Sequence, residues 1–86
     1  MSAAQIIAQL TAATRKLDEA QAKLLAARQD AAEARQLVAG ALQGSSGQLT
    51  GQIDQLVEAV GQIAGRAPAA KQQVQTTISK VQALGN

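Results

Sequence analysis

From Ala3 to Ala41 apolar residues recur at alternating three- and four-residue steps: Ala3, Ile6, Leu10, Ala13, Leu17, Ala20, Leu24, Ala27, Ala31, Ala34, Val38 and Ala41. The mean step of about 3.5 places all of them on one stripe of an α-helix. A strand would need a period of two, so this half of the chain reads as helix throughout. One sub-row is Leu-rich (Leu10, Leu17, Leu24, Val38) and the other, after Ile6, is alanine. Alternating Leu and Ala suits a second helix lying close. The expectation is that Ala13, Ala20, Ala27 and Ala34 bring it nearer than the usual ~8–10 Å.

The pattern returns after Gly44-Ser45-Ser46-Gly47, through Leu49, Ile53, Leu56, Val60, Ile63, Ala67, Ala70, Val74, Thr77, Val81 and Leu84. Val57, Ala64 and Ile78 widen this second stripe, as Ile7, Leu25, Leu37 and Leu42 widen the first. Gly44 suits a left-handed helix end. Ser2 with Gln5, and Ser45 with Gln48, each fit a capping box, in which serine and glutamine satisfy each other's helix-start N–H groups. Arg15–Glu19 and Glu19–Lys23 are candidate i,i+4 pairs on a solvated face. Pro68 removes the hydrogen bond to the Ala64 carbonyl, so the second helix should kink or break near it. The heptad keeps phase across it, which favours an unchanged direction. The predicted fold is therefore all-α, one domain over residues 1–86. Helix 1 covers about 3–43, the turn 44–47 and helix 2 about 48–84. Matched halves with a short turn predict an antiparallel hairpin. Stripes this wide call for further cover, so a homodimeric four-helix bundle, a higher assembly or another helical partner is expected. The expected interaction seam is Leu10, Ala13, Leu17, Ala20, Leu24, Ala27 and Val38 on helix 1, with Ile53, Leu56, Val60, Ile63, Val74, Val81 and Leu84 on helix 2.

Composition argues against chemistry. The chain of 86 residues has no His, Cys, Tyr, Trp or Phe. The commonest general base and the soft metal ligands are thus missing, and no catalytic, cofactor or metal site is expected. Asp54 and Glu58 share a helix face, but two carboxylates fall short of the oxygen cage that calcium or magnesium needs. Gly44–Gly47 is no phosphate loop, because no lysine follows and no strand precedes. Charge is +2 and evenly spread, with five basic and four acidic residues up to position 43, then three and two. A nucleic-acid partner would need a basic cluster or stacking rings. Membrane-surface binding is disfavoured by the mixed polar face and the half-alanine stripe, and remains the weakest alternative, as a coat-like surface binder. The glutamines of residues 48–82 read as a neutral polar surface. MSAAQIIAQL lacks a signal-peptide pattern, which points to the cytoplasm, with leaderless export open.

An alanine- and glutamine-rich hairpin with a mid-chain glycine turn resembles the small Trp-x-Gly proteins of type VII secretion systems. The resemblance implies a small partner or chaperone module of a secretion or toxin-related system that forms four-helix bundles. The chain has no Trp and no Tyr, so no residue role carries over from that family. MSAAQIIAQL, LVAGALQG and KVQALGN also resemble a family of short actinobacterial proteins of unassigned function. The expected function is non-enzymatic protein–protein interaction; the alternative is a structural protein that self-assembles into larger bundles or filaments.

Overall fold

The computed structural model describes residues 2–43 and 47–85. Two helices, α1 (Ala3–Leu42) and α2 (Gly47–Gly85), make up the fold. α1 opens on the predicted capping box. Gln5 N–H donates to Ser2 Oγ and Ser2 N–H donates to Gln5 Oε1, both at 3.1 Å. It ends at Gln43, whose N–H reaches the Ala39 carbonyl at 3.0 Å and whose φ is 45°. That is a left-handed helix end with a five-to-one bond, formed by glutamine. The Gly44 cap and the Ser45 capping box lie outside the described residues, as does the 44–46 part of the expected turn. Gly47 already belongs to α2.

α2 runs unbroken through Pro68. The ring removes one hydrogen bond, but the good helix formers and in-phase apolar rows on either side keep the chain helical. Thr76, Thr77 and Ser79 return their hydroxyls to the carbonyls of Gln72, Gln73 and Gln75, as Thr14 does to Leu10. Such bonds satisfy the hydroxyls inside a helix.

The chain divides into two compact units, each with a segment of both helices. Unit 1 joins α1 up to Gln21 with α2 from Gly65; unit 2 is Ala22–Ala64. In unit 1, Gly85 lies against Ala3 and Lys71 pairs with Asp18. In unit 2, Gly61 lies against Arg28 and Asp54 meets Arg35. The numbers in each pair add to 88 or 89. As one helix ascends the other descends at the same rate, so the topology is an antiparallel helical hairpin.

Burial corrects the predicted packing inside that hairpin. Most half-buried residues on α1 follow two rows, Leu10-Leu17-Leu24-Ala31-Val38 and Ile7-Thr14-Gln21-Arg35, with exposed Arg28 completing the second and half-buried Ile6, Ala32 and Ala39 beside them. On α2 they are Ile53-Val60-Ala67-Val74-Val81 and Thr50-Val57-Ala64-Lys71-Ile78. Ala64 alone is fully buried among the described residues, at 2% exposure. We name the first row of each helix d and the second a. The alanines expected to face α2 are one position round the helix, in the flanking g row, and Ala13, Ala20, Ala27 and Ala34 are exposed. The seam is turned toward the residues that looked like strays, Ile7, Val57, Ala64 and Ile78. The reason is electrostatic and steric together. With a facing the partner helix, Arg35 and Lys71 reach carboxylates across the seam; with g there, they would point away from them.

Candidate interaction surface

In an antiparallel pair the four interfacial rows run g, d, a, e across each helix, and g faces g while e faces e. The cross-helix contacts fix which side is which. Arg35 (a) pairs with Asp54 (e), and Lys71 (a) at 2.9 Å with Asp18 (e). Arg28 (a) lies along the backbone of Gly61 (e), where an added Cβ would sit 3.2 Å from Nε. One side of the seam, a with e, thus carries the cross-helix ion pairs, and in unit 2 it also holds the exposed Leu25, which lines a shallow groove with Arg28, Gln29, Ala32 and Val57. Arg35 Nε is enclosed and faces the Asp54 carboxylate in an ion pair. These pairs are a third to half exposed, which limits each to at most about 1 kcal/mol. Glu19 takes Lys16 at 3.3 Å rather than Arg15 or Lys23.

The opposite side, d with g, is apolar. In unit 2 the α1 edge is Ala27, Ala34 and Ala41, all exposed. The α2 edge is Leu49, Leu56 and Ile63, at 43%, 54% and 48% exposure. The register sets Ala27 level with Ile63, Ala34 with Leu56 and Ala41 with Leu49, each within one residue. Of the seven large apolar side chains that stand exposed among the described residues, six belong to unit 2. In unit 1 the same rows read Ile6, Ala13, Ala20 and Ala70, Thr77, Leu84, a weaker apolar edge.

The predicted seam residues divide accordingly. Leu10, Leu17, Leu24, Val38, Ile53, Val60, Val74 and Val81 come together, half-buried, in the d rows. Ala13, Ala20, Ala27, Leu56, Ile63 and Leu84 lie on the g flank, exposed. Sequence reasoning missed the polar a row. Its signal was present: Arg28 and Arg35 stand seven apart, and Ile7, Val57 and Ile78 keep the same phase.

No group of three or more Asp or Glu side chains that could hold a metal ion comes together among the described residues. Asp54 is occupied by Arg35, and Glu58 is exposed. The groove lined by Gln72, Gln73, Thr76, Thr77 and Lys80 is an open strip along one helix. No described helix is long and apolar enough to cross a membrane.

What these features define is a helical-hairpin protein. Residues 1–86 match the model of a family of unknown function, DUF6244, and the chain belongs to that family. No curated protein and no solved structure matches it.

Proposed function

We propose that this protein is a non-enzymatic helical interaction module whose working surface is the g face of unit 2. One observation carries the proposal: half of each apolar stripe is spent inside the hairpin, and the other half stands exposed on one side. Exposed leucines in a row are a liability for a chain that works alone, and clustered apolar surface marks interaction sites. Helix-forming neighbours and heptad spacing make another helix the natural ligand. In the cell the module serves as a small helical assembly partner, the class to which the Trp-x-Gly resemblance points.

The test is site-specific photo-crosslinking in the native cell. A photoreactive residue at Leu56 should form protein adducts, and one at Gln72, on the outer surface of α2, should not. Equal labelling from both positions, or none from Leu56, would remove the proposal.

A further inference from the structure

The geometry points to a second copy of this chain as the occupant of the unit 2 g face. The two copies are related by a two-fold axis parallel to the helices, with α1 of each lying on α2 of the other. This rests on the interaction-module reading and names its partner.

Size complementarity comes first. Every layer of the face holds one small and one large residue: Ala27 with Ile63, Ala34 with Leu56, Ala41 with Leu49. All the small ones are on α1 and all the large ones on α2. A two-fold along the helices seats Leu56 against the partner's Ala34, and Ala34 against the partner's Leu56, in the same layer. Each large side chain then meets a small one, the arrangement that fills a helix interface without voids. A two-fold across the helices would stack leucine on leucine and leave alanine facing alanine. The parallel axis also makes each helix antiparallel to both its neighbours, as in an up-down bundle.

Within the face, charge raises no conflict. The face itself carries none, since Arg28, Arg35 and Asp54 are on the opposite flank. On its α1 rim Asp30 and the three-quarters-exposed Leu37 would come level with the partner's Ala59 and Gln52, which are neutral. One layer further along the same rim, Lys23 would come level with the partner's Arg66, a like-charge pair whose long exposed side chains must splay apart into solvent.

Area agrees with both. A folded chain of 8.8 kDa is expected to expose roughly 4,800 Å² on the usual scaling with mass, and this one exposes 6158 Å². The surplus of roughly 1,400 Å² exceeds the ~800 Å² that each partner contributes to a standard stable interface.

The experiment uses the purified full chain, which has no cysteine of its own. Light scattering should give twice the 8.8 kDa chain mass. Two single variants, Ala34→Cys and Leu56→Cys, are then oxidised separately and as a mixture. The mixture should yield a mixed disulfide dimer in several-fold excess over either variant alone. A helical species of single-chain mass at 100 µM would overturn the proposal, and so would open-ended growth. Dominant self-coupling of Leu56→Cys would overturn it by implying the crossed axis. In the cellular experiment an adduct from position 56 with a different protein, and none of twice the chain mass, removes the second copy while leaving an interaction module. Absence of any adduct removes both.

Discussion

Gln43 holds a backbone conformation that side chains with a Cβ avoid, and it does so at the end of a forty-residue helix. A left-handed residue costs roughly 1–2 kcal/mol unless it is glycine. Gln43→Gly should therefore raise stability by about 1 kcal/mol, part of the gain being returned as unfolded-chain entropy. Thermal unfolding followed by circular dichroism reads this directly, and an unchanged or lower midpoint would show that the cap geometry is wrong. Two helical glycines make a matched pair. Gly65 has open space where a Cβ would go, whereas Gly61 has Arg28 Nε at 3.2 Å. Gly65→Ala should gain the full helix propensity, about 1 kcal/mol. Gly61→Ala should gain measurably less, because the Arg28 side chain must move. If the two variants gain equally, Arg28 does not lie on the Gly61 backbone. Ala64 is a third such position. Enlarging it to leucine overfills the one fully buried site and should cost ~1–3 kcal/mol.

Each helix has an apolar stripe wider than a single neighbour can cover, and the hairpin uses only its d half. Leu17 and Leu24 are in that half, so Leu17→Asp or Leu24→Asp should abolish most of the helical signal. Leu37→Asp, on an outward position at 75% exposure, should leave it nearly intact. Equal loss in all three would mean that the d rows are not the seam. On α1 the a row adds little apolar burial, because Thr14, Gln21, Arg28 and Arg35 occupy it, whereas on α2 it holds Val57, Ala64 and Ile78. Their ion pairs set the register more than the stability. Asp18→Asn should cost under ~1 kcal/mol, and the cost should shrink as salt rises. These rows also show how far the sequence could be read. The 3.5-residue period was enough for two helices, their antiparallel return and the Ser2–Gln5 cap. It did not settle which two of three adjacent rows face inward. An Ala row and an Arg-containing row are both compatible with a close helix neighbour, and the choice depends on where Asp18 and Asp54 fall after the chain folds back. That is non-local information, carried by pairs of residues more than fifteen positions apart. The site was legible as a set of apolar residues, yet half of that set proved to be the outer flank.

For the molecule as a whole, the proposed pairing of copies ties stability to concentration. The thermal midpoint should climb as the chain is concentrated from 1 to 100 µM, because association draws on the folded form alone. Leu56→Arg should flatten that dependence, and a midpoint that is flat in the unaltered chain would argue for self-sufficiency. The constant sum of paired residue numbers has a further consequence, for how such a chain can change length. Deleting seven residues from one helix slips its remainder by about 10 Å against the other, which unhooks every layer beyond the cut. Removing 28–34 together with 55–61, which the register sets opposite each other, takes out one whole storey and leaves the rows above and below aligned. Length in chains of this architecture should therefore vary in matched blocks of seven, one from each arm.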